Sequence, residues 1–134
     1  MEMKVFRIPR SRLLAIGALA LMLGCGKPSD RVEVSGTVRW QGQMLPSGTI
    51  TFFRPQQIPA GAGEIVNGKY RVQCKPGQVR VEIEAIRETG AVDRSEGLPV
   101  QEQYLPARYN KNSTLTAEIS PPGPVVLDFD LEDK

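Results

Sequence analysis

The chain has 134 residues, with 17 Lys and Arg against 15 Asp and Glu, two Cys and no His. That length suits one domain. The lack of His excludes Ser-His-Asp and Cys-His catalysis and any His-ligated metal, and a formal charge of +2 gives no global attraction to nucleic acid.

Lys4, Arg7, Arg10 and Arg12 precede an apolar run from Leu13 to Gly24. A basic flank, a short apolar run and small residues form the pattern of a secretory signal peptide, here residues 1–24. The run falls short of the ~20 residues a spanning helix needs. It also lacks the polar face of a helix buried on one side only. Leu21-Met22-Leu23-Gly24-Cys25 resembles a bacterial lipobox. That resemblance implies cleavage before Cys25, a diacylglyceryl thioether on its sulfur, and two or three acyl chains in all. At about 0.8 kcal/mol per buried CH₂, two or more chains anchor stably. Removing residues 1–24 leaves 13 basic and 14 acidic side chains, so the basicity belongs to the signal and no nucleic-acid partner is expected. With Cys25 lipidated, Cys74 stands alone and no intramolecular disulfide forms. Residues 25–30 are the lipidated Cys and a polar tether of at most ~17 Å, which holds the domain of residues 31–134 near a membrane. Gly26 is not the Asp that resembles an inner-membrane retention signal. The expected location is therefore the cell envelope, lipid-anchored, at the outer membrane.

From Arg31 onward the dominant period is two. Val32, Val34, Val38 and Trp40 alternate with Glu33, Ser35, Thr37 and Arg39, and Gly36 on the apolar side predicts a bulge or a close backbone approach. Gln41-Gly42-Gln43 is a turn. Residues 49–54 are β-branched and aromatic and predict a second strand, which Pro55 ends; residues 59–63 read as a loop. Residues 64–66 and 69–72 flank Asn67-Gly68, the strongest hairpin signal in the chain. After a turn at Lys75-Pro76-Gly77, Val79, Val81, Ile83 and Ala85 alternate with charges. Residues 87–113 read as one long irregular segment. Leu115, Ala117 and Ile119 alternate in the next strand, Pro121-Pro122-Gly123-Pro124 breaks it, and Val125, Leu127, Phe129 and Leu131 mark a last strand. About seven strands in roughly 100 residues predict an all-β, Ig-like β-sandwich.

Val34-Ser35-Gly36-Thr37-Val38, Gly42 with Leu45-Pro46, and Gly48 to Phe52 are similar to the opening of carboxypeptidase regulatory-like domains. Gly68-Lys69-Tyr70, Pro76-Gly77, Leu105 to Asn110 and Phe129-Asp130-Leu131 fit the same pattern, over nearly all of residues 31–132. The combination resembles small bacterial lipoproteins with one such domain. It implies a transthyretin-like (prealbumin-like) sandwich and no peptidase activity, since the zinc peptidase domain that accompanies the module in enzymes has no counterpart here. Fold-forming reasons account for the motifs: Gly48 permits a bend into the next strand, and Pro76-Gly77 presets a turn.

No cofactor or metal is expected. Cys74 shares a strand face with Tyr70 and Val72 and reads as a core residue. Asp128, Asp130 and Glu132 are the acidic candidates for Ca²⁺, but i, i+2 residues on a strand lie ~6.6 Å apart, which fits a solvated face better. Glu82 and Glu84 share their face with Arg80 and read as surface charge rather than a catalytic pair. Residues 87–113 hold the binding candidates Tyr104, Arg108 and Tyr109, residue types enriched at binding hot spots. Alternatively, Leu105-Pro106 and Tyr109 plug one end of the sandwich. The resulting expectation is a non-enzymatic, membrane-anchored binding or structural module. Its alternatives are an accessory subunit docking an envelope protein through a strand edge or the 87–113 loop, and a small-ligand, carbohydrate or calcium binder.

Overall fold

Residues 30–134 are described by the computed structural model; the signal segment, Cys25 and most of the tether lie outside them. Eleven strands occur among the described residues. β1 (Val32–Trp40) turns through Gln41-Gly42 into the short β2 (Gln43–Met44), and β3 (Ser47–Arg54) leads through one 3-10 turn into β4 (Ile58–Val66). β5 (Lys69–Cys74), β6 (Gly77–Glu84), β7 (Ile86–Val92), β8 (Pro99–Gln103), β9 (Thr116–Ile119), β10 (Val125–Val126) and β11 (Phe129–Leu131) follow. One curled sheet runs β10-β1-β5-β4-β3-β6-β9, with β2 and β11 also on β1; β7 and β8 form a separate two-stranded sheet. Most pairings are antiparallel, but β10 and β11 run parallel to β1.

Two tight turns follow from positive φ. Gln41 and Gly42 sit at φ 51° and 80°, and Asn67 and Gly68 at 50° and 74°. Each pair is the left-handed dipeptide that a two-residue hairpin requires. The core is built as the alternation predicts. Val32, Val34 and Val38 of β1, Ile50 and Phe52 of β3, Tyr70, Val72 and Cys74 of β5, and Val79, Val81 and Ile83 of β6 are all buried. Each such side chain contributes about 1.5–3 kcal/mol by leaving water.

Gly36 explains the C-terminal strand. A Cβ there would lie 1.9 Å from the Leu127 carbonyl oxygen, so only glycine lets the last segment approach β1. The Leu127 N–H donates to Ser35 O at 2.9 Å, and Tyr70 Oη donates to Leu127 O at 2.6 Å. This crossing point divides the expected single strand at 125–131 into β10 and β11. Gly48 is also a close-approach glycine rather than a bend: it lies inside β3, where a Cβ would meet Glu84 O at 2.5 Å.

Two expected loops are strands. Residues 59–63 belong to β4, which pairs with β3 along its length. Their Gly and Ala content serves close packing, since a Cβ at Gly63 would meet Val72 Cγ2 at 2.6 Å and one at Gly61 would meet Gln73 O at 2.8 Å. Residues 87–113 are not one irregular segment either. They hold most of the β7–β8 hairpin, then a 3-10 turn over Ala107–Tyr109.

Candidate functional site

β1 gives the domain two ends. At one, Arg31 precedes Val32, opposite Cys74, and its Nη1 donates to the carbonyls of Ala60 and Gln73 at 3.2 and 3.1 Å. At the other, about 26 Å away along nine extended residues, Trp40 pairs with Leu131 and Gln43. The Asn67-Gly68 turn, the start of β3 and the β7–β8 hairpin lie at this distal end.

The three candidates from the 87–113 segment do not converge. Tyr104 packs edge-on against Trp40, with ring centroids 6.4 Å apart. The Arg87 guanidinium lies over the Tyr104 ring at 5.4 Å and pairs with Glu102 at 2.6 Å. Arg108 and Tyr109 instead hold the C-terminal strand. Tyr109 Oη donates to Glu132 O at 3.1 Å and accepts from Glu132 N at 2.9 Å. Arg108 also donates to Glu132 O and stacks over the Tyr109 ring at 4.9 Å. Leu105, between them, is buried in the core. Buried Asn110 donates through Nδ2 to Pro106 O at 3.1 Å, and buried Ser113 donates to Val81 O.

Asp128, Asp130 and Glu132 are exposed on one face of the last segment. Asp128 Oδ1 accepts from the Thr37 N–H at 2.8 Å and the Thr37 hydroxyl at 3.0 Å, which ties that segment to β1. Among the described residues no group of three or more Cys, Asp or Glu side chains is gathered as a metal site. Cys74 is fully buried, and desolvation raises its thiol pKa against the opposing charge of Arg31. Burial, with the charge of Asp128 adding to it, raises the Tyr70 phenol as well. Both groups stay protonated near neutral pH. Glu82 pairs with Arg80 at 2.6 Å.

Two adjoining depressions lie at the distal end. Trp40, Met44, Pro46, Ile86 and Tyr104 line a depression of about 430 Å³. A second, of about 360 Å³, lies between Thr49, Glu64, Val66 and Glu84. The two share Ser47 and Ile86 in their walls, so they form one groove at the base of the hairpin. Val66 and Ile86 are 57% and 54% exposed, unusual for such apolar side chains in contiguous positions. Of the groove residues, the sequence singled out Tyr104 as a binding candidate and Glu84 as surface charge. Trp40, Met44, Ile86 and Arg87 come together through strand pairing that no local pattern encodes. A depression of about 470 Å³ lies toward the other end, between the 3-10 turn and β9. There Arg54 Nε is buried without a hydrogen-bond partner, and Gln56 and Gln57 hold consecutive positive φ of 66° and 62°.

Among the described residues no helix is long and apolar enough to cross a membrane. No protein-family model matches the chain, and no curated sequence matches it. Among solved structures it is similar to a 9R-lipoxygenase from Cyanothece PCC8801, at 12% identity and a TM-score of 0.38. That alignment covers 77% of this chain but 16% of the lipoxygenase, a likeness too slight to carry any argument about fold family or activity.

Proposed function

We propose that this chain is an exported lipoprotein, held at the cell envelope, in the outer membrane, by acyl chains on Cys25. Its β domain acts there as a non-catalytic binding or structural module of the transthyretin-like sandwich type. The observation that carries the reading is Leu21-Met22-Leu23-Gly24-Cys25 at the end of the apolar run, seven residues before β1 begins. The sandwich assignment is supported by the placing of the resembling motifs: Gly36 at a close approach, and Gly42, Gly68 and Gly77 at positive-φ turns. The non-catalytic reading is supported by the state of the ionisable groups. Cys74 and Tyr70 are buried and held protonated, while Arg71–Glu33 and Arg87–Glu102 are solvated surface pairs.

The test is the intact mass of the protein recovered from membranes, beside a Cys25→Ser variant. The expected result is an N-terminus at Cys25 bearing acyl mass, absent in the variant. An unmodified chain in the soluble fraction overturns the reading.

A second reading, an accessory subunit, is favoured by the β7–β8 hairpin. Every residue of both strands is exposed, and Ile86, Val92, Leu98 and Val100 present apolar side chains to solvent.

A further inference from the structure

We infer that the distal groove is a docking site for a cationic, partly apolar segment of another envelope protein. The inference rests on the lipoprotein reading for its setting. The groove floor supplies the residue types that dominate binding energies, Trp40, Tyr104 and Met44, and its exposed apolar side chains, Val66 and Ile86, have no cover among the described residues.

Charge selects the occupant. Glu64 and Glu84 both sit opposite Thr49, from β4 on one side and β6 on the other. Both are exposed, and neither has an ion pair or hydrogen bond among the described residues. The basic group of the groove, Arg87, is already neutralised by Glu102 and stacked on Tyr104. The rim therefore carries two carboxylates without an ion pair about an apolar centre, with Lys69 and Arg71 beyond Glu64 on the neighbouring depression; the groove side is complementary to apolar side chains flanked by Lys or Arg.

Position agrees with a protein rather than the bilayer. The groove lies at the Trp40 end of β1, while the chain enters at Val32, about 26 Å away. A tether that reaches at most ~17 Å holds the Val32 end near the membrane and leaves the Trp40 end free to face away from it.

Trp40 is the chain's one tryptophan and lines the groove, so its emission reports occupancy. The full chain in neutral detergent micelles is titrated with a short peptide alternating Lys and Val, and with its Glu-for-Lys counterpart. The Lys peptide is expected to shift Trp40 emission saturably, less strongly as salt rises, and the Glu peptide is not. Glu64→Gln with Glu84→Gln should weaken binding about tenfold, as two exposed ion pairs would. Val66→Ser with Ile86→Ser should abolish the shift with the melting temperature unchanged, because both positions are exposed. Equal response to the two peptides, no response to either, or binding indifferent to both double variants overturns the inference. So does an emission shift that grows with protein concentration alone, which would make a second copy the occupant. Lipidation at Cys25 does not enter these titrations. A groove that fails leaves the mass measurement to decide the anchor, and an absent anchor leaves the groove result standing.

Discussion

The two halves of the segment between β6 and β9 differ in fate. Residues 86–103 form a hairpin in which every strand position is exposed. Residues 104–113 are fixed to the body: Leu105, Asn110 and Ser113 are 3%, 5% and 6% exposed. The difference comes from where a few anchors fall. Leu105 fills a core position, and the buried amide and hydroxyl find backbone carbonyls. In the hairpin the hydrogen bonds run largely from one strand to the other, and an isolated hairpin of that kind is marginal in water. Order in a connecting segment thus follows which residues reach the core, and two of the three anchors here, Asn110 and Ser113, are polar.

That contrast can be broken most directly at its anchors. Leu105→Ala should lower unfolding free energy by about 2–5 kcal/mol, read from denaturant midpoints at constant slope. A loss below about 1 kcal/mol would mean that the 104–113 half is as loosely held as the hairpin. Asn110→Ala should cost about 1–3 kcal/mol, because it leaves the carbonyl of Pro106 short of its donor. Gly36→Ala tests the neighbouring closure and should cost about 1–3 kcal/mol by forcing β1 and Leu127 apart. A melting temperature equal to that of the unsubstituted protein would refute the close approach.

Much of this architecture was legible in the chain and some was not, for physical reasons. Alternation marked β1, β5 and β6 because each presents one face to water and the other to the core. Asn67-Gly68 marked its hairpin because few other residue pairs take two positive φ angles. Residues 59–63 misled because glycine signals both a turn and a close approach, and Val72, which makes it an approach here, is distant in sequence. The β7–β8 hairpin was hidden because neither face is buried, so no period appears. The groove was illegible for a related reason: Trp40, Val66 and Ile86 meet only after the sheet has formed. The tie of Arg108 and Tyr109 to Glu132 is likewise a product of tertiary structure, and it makes these residues clasps of the C-terminal strand.

Smaller effects separate the two regions by pH. In the body, burial raises the pKa values of Cys74 and Tyr70 above their ordinary 9.0 and 10.0. Their contribution is complete below those values and is lost as pH rises past them. Alkaline melting curves should therefore fall above about pH 9, and native Cys74 should resist thiol reagents that label it rapidly once unfolded. At the hairpin tip the sign reverses. Hydrogen bonds from Ser95 hold the Asp93 carboxyl below its ordinary 3.8, so their contribution is present above that value and fades in acid. The Ser95 amide shift should titrate there while the body is unchanged. Smallest of all, Val92→Ser and Leu98→Ser should alter stability by no more than about 0.5 kcal/mol. A larger loss would show that the hairpin packs on the body after all.

The parallel pairing of β1 with β10 and β11 joins the first and last strands of the domain. Synthesis from the N-terminus delivers β1 early, yet one side of that strand stays open until Val125–Leu131 has been made. The sheet closes only when that last pairing forms, so this topology ties the completion of folding to the arrival of Val125–Leu131.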